Sequence, residues 1–349
     1  MVNVREKSFA KGWGFLVGCL LLGSRAAAEG ETSAARALVT TVHDSAAVVA
    51  FQPEARVVRS MVERGLKAFT GSADTAAAWR TLVQSNDVVG FKIVSAPGAL
   101  SGTRPAVVRA FVETLLASGH PADRIVIWDK REVDLRPAGW YQLAAELGVQ
   151  CEAAATAGWD PEKFYESPVL GRLVAGDLEF DRTDKVKVGR KSHVTRLLTR
   201  KITKVVSIAP VLSHSVTAVN GHLASLAGGS VDNTLRFLND GALLAEAVPD
   251  ICALDDLMPR VVLGVSDALI CQYRGEDQPM LHYALTLNEL RFSRDLVALD
   301  ALALDDVARA RTGVKYEGEK PPKTELYLNA ELIDLGISDL KRIQVTRVP

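Results

Sequence analysis

Short apolar segments alternate with amphipathic segments through most of the chain. Residues 87–94 and 124–129 are runs of β-branched and aromatic residues, which is typical of strands that are buried on both faces. Residues 105–118 and 137–148 have apolar positions at helical spacing, and a glycine ends each segment. This order of strand, helix, strand and helix predicts an α/β fold with a mostly parallel sheet flanked by helices.

The pattern is interrupted once and then resumes. Residues 155–200 carry two prolines, four glycines and many charges, which predicts an irregular insertion or a small antiparallel subdomain. Residues 202–209 and 261–267 are then expected to be strands. Further helices are expected at 216–227, 231–246 and 295–311. We therefore predict a single α/β domain over residues 29–312 and a peripheral C-terminal segment over residues 313–349.

The first 28 residues have the three-part pattern of a signal peptide. A basic start precedes an uncharged, largely apolar run at residues 12–23, and the small residues Ala26–Ala28 follow. A buried N-terminal helix is the alternative. Cys19 resembles a lipoprotein acceptor, but the apolar run continues beyond it, so cleavage near Ala28 is the better interpretation. The mature protein is predicted to be exported, to the periplasm or beyond the cell.

Composition narrows the classes of partner and cofactor. The 349 residues include 41 Lys and Arg and 42 Asp and Glu, a net charge of -1, which argues against nucleic acid or an anionic membrane as the main partner. After the signal peptide, no apolar run approaches the length of a membrane span. Four cysteines without paired spacing argue against a disulfide scaffold, a zinc ribbon and an iron–sulfur cluster, so we predict no cofactor.

Candidate site residues follow from the expected sheet. Ligands of open α/β sheets bind at the carboxyl ends of the strands, and Lys92, Asp129 and Asp267 lie near such ends or on such strands. The loop Ser95–Arg104 precedes a helix, so its N–H groups are suited to a carboxylate or a phosphate. It lacks the patterns of nucleotide-binding loops. The alternative for these charged residues is a structural salt bridge or a helix cap.

Residues 213–229 set two histidines among hydroxyl groups and glycines. His214 has the chemistry of a general acid or base, while a well-bonded histidine in a turn is the alternative. His214 and His222 are eight residues apart, so a metal at this pair would need a third ligand from elsewhere. Asn220 and Ser225 are expected to contact a ligand beside them.

The order of several segments resembles the domain of unknown function 362 family. The matching segments span residues 45–312 and are Val89–Ile93, Arg104–Val108, Ile125–Lys130, the 208–228 region, Val265–Ala268 and Asp295–Ala301. The resemblance implies an exported protein of unestablished role, and the iron–sulfur motif of some members is absent here. Two family positions with positive charge are replaced, by Leu212–Ser213 and by Ala224–Ser225.

These observations leave two hypotheses. The first is an enzyme-like protein acting on a small polar or carboxylate-bearing ligand, in which Lys92 orients the anion, His214 moves a proton and Asp267 orients His214. Ligand contacts are then expected from Asp129, Asn220, His222 and Ser225. The second is a non-catalytic ligand-binding or accessory module that has lost charged site residues. The sequence does not determine the oligomeric state.

Overall fold

A computed structural model describes residues 35–182, 187–275, 278–312 and 324–348. The predicted signal peptide at residues 1–28, with Cys19, lies outside the described residues. No helix within the described residues is long and apolar enough to cross a membrane.

The described part of the chain alternates strands with helices. In chain order the strands are β1 (Ala37–His43), β2 (Val48–Val49), β3 (Gln52–Pro53), β4 (Val89–Lys92), β5 (Ile125–Asp129), β6 (Gln150–Ala153), β7 (Trp159–Arg172), β8 (Val188–Thr195), β9 (Lys204–His214), β10 (Ala218–Val219), β11 (Val261–Gln272), β12 (Ala284–Ser293) and β13 (Ile343–Val348). The α-helices are α1 (Ala55–Thr70), α2 (Thr75–Leu82), α3 (Gly98–Ser101), α4 (Pro105–Ala117), α5 (Glu132–Leu135), α6 (Trp140–Leu147), α7 (Ala154–Ala157), α8 (His222–Ser230), α9 (Gly241–Cys252), α10 (Leu296–Thr312) and α11 (Glu325–Leu332).

The central sheet is mostly parallel, which confirms the predicted α/β class. Its strand order is β13-β1-β12-β11-β9-β4-β5-β6, with β10 paired to β9. The five strands from β11 to β6 are parallel to one another, whereas β12 is antiparallel to both of its neighbours. Since every residue of β4 and β5 is buried, these strands show continuous apolar runs instead of alternation.

Helices cover both faces of this sheet and form two cores. On one face Phe91 and Ile127 pack with α1, α2, α4 and α6. On the other face Val126 and Trp128 belong to the core that includes α8, α9, α10 and α11. Because side chains alternate between the faces of a strand, Lys92 lies on the face of Trp128 and α8.

The irregular stretch contains a hairpin. β7 and β8 form a separate two-stranded antiparallel sheet, as the second of the two alternatives for residues 155–200 predicts. An isolated bridge between Val194 and Val231 connects β8 to the segment after α8. The hairpin therefore lies next to α8, the helix that follows the carboxyl end of β9.

Two helices are shifted from their predicted positions, and the sheet extends past the predicted domain end. α8 and α9 replace the expected helices at 216–227 and 231–246, because residues 214–219 turn back and pair with the end of β9. In the C-terminal segment, β13 is the edge strand of the central sheet and pairs in parallel with β1. The sheet thus includes residues beyond 312.

Candidate functional site

The direction in which successive strands are added to the sheet reverses between β4 and β9. From β4 the chain adds β5 and β6 on one side, and β9 and β11 lie on the other. The helix that follows β4 packs on one face and the helix that follows β9 packs on the opposite face. Such a reversal leaves the carboxyl ends of two adjacent strands as the usual place for a ligand.

The Lys92 side chain lies at this point and is buried, with 1% of it exposed. Its amine Nζ donates to Asp129 Oδ1 at 2.8 Å, to Ser225 Oγ at 2.7 Å and to the Ile93 carbonyl at 2.6 Å. An ammonium group has three N–H donors, so all of them are used. These bonds connect β4 to β5 and to α8.

Asp129 completes this network from the end of β5. Its Oδ2 accepts from the Ser95 amide at 2.8 Å and from the Ser95 hydroxyl at 2.6 Å, and its Oδ1 also accepts from the Lys130 amide at 2.8 Å. Burial acts to raise the pKa of this carboxyl group. The charge of Lys92 and the hydrogen bonds from Lys92 and Ser95 outweigh burial and hold the pKa below its ordinary value.

Close packing brings α8 against this ion pair. A Cβ atom on Gly229 would lie 2.4 Å from Lys92 Cε and 3.0 Å from Lys92 Nζ, so only glycine fits there. Gly228, one residue earlier, is different, since a Cβ on it would meet no atom within 4 Å. The helix is therefore tight on its inner side and open on its outer side at this point.

His222 lies in the interior beside the same pair. Its Nδ1 is 2.8 Å from Ser207 Oγ and its Nε2 is 3.4 Å from Ser266 Oγ. Burial, and then the charge of Lys92, lowers the pKa of His222 to about 3, so the ring is neutral at physiological pH. The ring connects α8 to β9 and β11 and is only 1% exposed.

Asp300 of α10 holds the first turn of α8. Its two carboxylate oxygens accept from the amides of His222 at 2.7 Å and Leu223 at 2.9 Å. Burial raises the pKa of Asp300 to about 7. A carboxyl group from another helix thus takes the place of a local N-cap side chain, and it fixes the position of His222.

Asp267 does not hydrogen-bond to His214. Its Oδ1 is 3.0 Å from Arg104 Nη1, its Oδ2 accepts from the Arg104 amide at 2.9 Å, and Oδ1 lies 3.4 Å from the Leu269 amide. The carboxylate is fully buried. It connects β11 to the start of α4, so an orienting role toward His214 finds no support in its contacts.

His214 lies at the end of β9 and is half-buried. Its Nδ1 accepts hydrogen bonds from the amides of Val216 at 3.3 Å and Thr217 at 3.2 Å, and it lies 3.0 Å from Thr217 Oγ1. These are the contacts of a histidine in a turn. The amide of Asn220, just after this turn, donates to the Leu212 carbonyl at 2.8 Å.

The structure therefore brings together Lys92, Asp129 and Ser225, with His222 behind them. It also adds Lys130, which the sequence analysis did not select. Lys130 is half-buried and its Nζ donates to Thr234 Oγ1 at 3.0 Å. Burial, followed by the charge of Arg131, lowers the pKa of Lys130 to about 8. Its position directly after a strand-ending aspartate was the available sequence signal.

The described residues contain neither a three-residue metal-binding group nor a cysteine whose pKa is lowered. Across residues 35–182, 187–275, 278–312 and 324–348, no group of three His, Cys, Asp or Glu side chains is arranged to hold a metal ion. Both ring nitrogens of His222 face serine hydroxyl groups. The thiols of Cys151, Cys252 and Cys271 are free, and burial raises the pKa of each.

Comparison with known proteins gives little similarity. No family model matches the chain, and no curated protein matches it. A crystal structure of a Thermotoga maritima protein from a structural genomics consortium is similar at 11% sequence identity and a TM-score of 0.43. The match covers 77% of this chain and 62% of that protein, so this chain spans less than two thirds of its length.

Replacing Lys92 should show how much the fold depends on the ion pair. Lys92→Met leaves the Asp129 carboxylate buried without its cation, so we expect a loss of about 3–5 kcal/mol in the free energy of unfolding, measured by urea denaturation. Arg136→Met is the control, because it removes the exposed Arg136–Glu132 pair and should cost less than about 1 kcal/mol. Equal losses in the two variants would contradict the assignment.

The neutral state of His222 predicts a pH dependence of stability. Below its ordinary pKa of 6.5 the unfolded state binds a proton at this residue and the folded state does not, so stability falls as the pH falls. Between pH 7 and pH 5 this costs about 2 kcal/mol, which His222→Gln should remove. Asp300 titrates in both proteins, so the quantity to compare is the difference between their unfolding free energies at each pH.

The control for this measurement is His43→Gln, which changes a histidine with an exposed side chain at the end of β1. It should leave the pH profile as in the unmodified protein. A profile that His222→Gln does not flatten would show that His222 is protonated in the folded state.

Proposed function

We propose that the protein binds a small polar, carboxylate-bearing molecule at the carboxyl edge of β4 and β5 beside α8, as a non-catalytic binding or accessory module. The observation that carries this proposal is the saturation of Lys92, whose three N–H donors are all used within the protein. A lysine held in this way supports the wall of a site and has no free donor with which to orient a reacting anion.

The Lys130 amine is the cation at this edge that is suited to an anionic ligand. Lys92 and Asp129 neutralise each other at 2.8 Å, and the neighbouring half-buried Lys130 amine adds a positive charge, as does Arg131, while Asp177 and Asp232 offset part of it. A cation in a partly desolvated position attracts a carboxylate more strongly than one in open water. Ser225 is also half-buried and has a hydroxyl group, and a Cβ on Gly228, three residues further along the helix, would meet no atom within 4 Å.

The contacts of Asp267, another of the residues expected to be catalytic, also favour a non-catalytic module. Asp267 gives both of its oxygens to Arg104, and His222 is neutral and enclosed. Asp267 therefore does not supply the hydrogen bond to His214 that the acid–base arrangement of Lys92, His214 and Asp267 requires.

One observation favours the enzyme-like alternative. Because the pKa of Lys130 is lowered to about 8, about half of its amine is neutral at pH 8, whereas an ordinary lysine is almost fully protonated there. A neutral amine beside a carboxylate-binding edge can accept a proton from a ligand. Under this alternative Lys130, and not His214, is the base.

The proposed location is outside the cytoplasm. The predicted signal peptide at residues 1–28 and the resemblance to the domain of unknown function 362 family support it. Three free thiols, two of them in buried residues, are compatible with an oxidising compartment because enclosed thiols pair and react slowly.

Binding of small carboxylates tests the proposal directly. Succinate and lactate are titrated into the mature protein while the melting temperature is recorded, with succinamide and lactamide as uncharged controls. We expect the acids alone to raise the melting temperature, since a ligand that binds only the folded state stabilises it. Lys130→Gln should abolish this shift, and Lys341→Gln, which changes an exposed lysine far along the chain, should keep it.

The same samples distinguish a binding module from an enzyme in which Lys130 is the base. Proton NMR after prolonged incubation should show the carboxylates unchanged if the protein is a binding module. Conversion that Lys130→Gln stops would favour the enzyme. A melting-temperature shift that is equal in the unmodified protein and in Lys130→Gln would contradict the proposal that the ligand binds beside Lys130.

Export has its own test. Expression of the full chain in a bacterial host, followed by intact mass measurement of the periplasmic fraction, should give a protein that starts at Glu29. Ala28→Phe should block this cleavage, because signal peptidase requires small residues there. A full-length protein confined to the cytoplasm would contradict the proposed location.

A further inference from the structure

A groove lies at the amino end of the parallel strands. Its volume is about 720 Å³, within the range of roughly 300–1,000 Å³ that holds small molecules. The start of β1, the end of β12, two residues of β13 and the last residues of α1 line it, together with Thr81 of α2. Since β12 is antiparallel to both β1 and β11, β1 is parallel to β11 and begins at the end of the sheet opposite to Lys130.

The groove exists because α1 ends before it covers the start of β1. Side chains alternate across a strand, so Leu38 and Thr40 lie on the same face as Val42, which is buried in the core that includes α1. Leu38, by contrast, is 64% exposed. On the neighbouring β13, Gln344 lies beside Leu38 and Thr346 lies beside Thr40. The floor of the groove therefore combines an apolar side chain with hydroxyl and amide groups.

Two arginines lie at one end of this floor. Arg36 precedes β1 and Arg294 follows β12. Because the two strands are antiparallel, with Thr40 opposite Phe292, both arginines lie at the same end of the pair. Both are exposed, and within the described residues neither guanidinium makes an ion pair. A planar guanidinium with unused N–H donors is suited to a carboxylate, which it can bind through two parallel hydrogen bonds.

Asp295 is the carboxylate nearest to these arginines in the described lining of the groove. Its Oδ1 accepts from the Ala298 amide at 2.8 Å, and its Oδ2 accepts from the Ile337 amide at 2.9 Å. Two arginines and one hydrogen-bonded aspartate give the end of the groove a net positive charge. An anionic group is therefore favoured there over a cationic one.

The end of α1 adds hydrogen-bond acceptors. The last carbonyl groups of a helix have no donor within the helix and carry partial negative charge. The amides of Gly71 and Ser72 both donate to the Lys67 carbonyl, which leaves the carbonyls of residues 68–70 to solvent or to a ligand. All three of these residues line the groove. A ligand with hydroxyl groups can donate to them, whereas a simple anion cannot.

From the groove, its two arginines and the acceptors at the end of α1, we propose that this site binds a sugar acid, a molecule with one carboxylate and several hydroxyl groups. The carboxylate pairs with Arg36 and Arg294. The hydroxyl groups donate to the last carbonyls of α1 and to Gln344, and the sugar ring packs against Phe69. This site lies at the other end of the strands from Lys130 and does not depend on the function proposed above.

Other ligand classes fit the groove less well. A phosphate dianion has acceptors only and would face the partly negative end of α1. A fatty acid would place an apolar chain against the polar side chains of Thr40, Gln344 and Thr346, which costs free energy because those groups lose water without gaining a partner. A neutral sugar would gain nothing from the charge of the arginines.

Glucuronate is the probe, with glucuronamide as its uncharged match and cyclohexanecarboxylate as the match without hydroxyl groups. Isothermal titration into the full mature protein measures each dissociation constant. Glucuronate should bind at least about tenfold more tightly than either match, and Arg294→Gln should raise its dissociation constant by at least about tenfold. Arg347→Gln is the control. Arg347 is exposed on β13 and, being next to Thr346, lies on the other face of the sheet, so its replacement should leave binding unchanged.

Each outcome decides the matter. Glucuronate binding that Arg294→Gln weakens and both Arg347→Gln and Lys130→Gln retain supports the inference. Binding that Lys130→Gln abolishes would place glucuronate at the other end of the strands and overturn it. Equal effects of Arg294→Gln and Arg347→Gln, binding of either match as tight as that of glucuronate, or no binding at millimolar concentration would overturn it as well. Circular dichroism of each variant establishes that it is folded.

Discussion

The buried ion pair of Lys92 and Asp129 is the constraint on which the arrangement of this edge depends. A charged amine enclosed in a protein is tolerated only if its donors are satisfied and a counter-charge is adjacent. Meeting both conditions fixes the end of β5, the position of Ser225 and the close approach of α8 at Gly229. The helix therefore has small and polar residues where an ordinary core helix would carry large apolar ones.

Balanced charge at this centre also limits its chemistry. The Lys92–Asp129 pair is internally compensated, so the binding proposed at this edge depends on neighbouring groups that are less completely hydrogen-bonded. Lys130 is such a group, one residue beyond the strand and with a lowered pKa. The two lysines differ in hydrogen bonding although both lie at the ends of adjacent parallel strands. A position at a strand end thus identifies candidate site residues. The hydrogen bonds that each side chain makes within the protein then determine which candidate is exposed to solvent.

Sequence patterns located β4, β5, β9 and β11, and they missed β1 and β12 inside the sheet as well as β13 at its edge. β4 and β5 are buried on both faces, so each is a continuous apolar run that can be recognised alone. In β13 only Ile343 is buried, and its other residues face solvent or lie at the margin, so no apolar pattern marks it as a strand. For the site, Lys92 and Asp129 could be paired from their neighbouring strand ends. The partner of Asp267 could not, because Arg104 is distant in sequence and the pattern of neither segment shows the contact.

The parallel pairing of β1 with β13 has a consequence for how the molecule acquires its structure. β1 lies between β12 and β13, so its two partners are both supplied by the last part of the chain. Contacts between segments so distant in sequence form slowly, because a very long loop must close before they contribute stability. Until then the β12 side of the growing sheet is an open edge that can pair with another chain. We therefore expect aggregation during biosynthesis to begin at this unfinished edge, and a chaperone that covers β1 or β12 to have the greatest effect on yield.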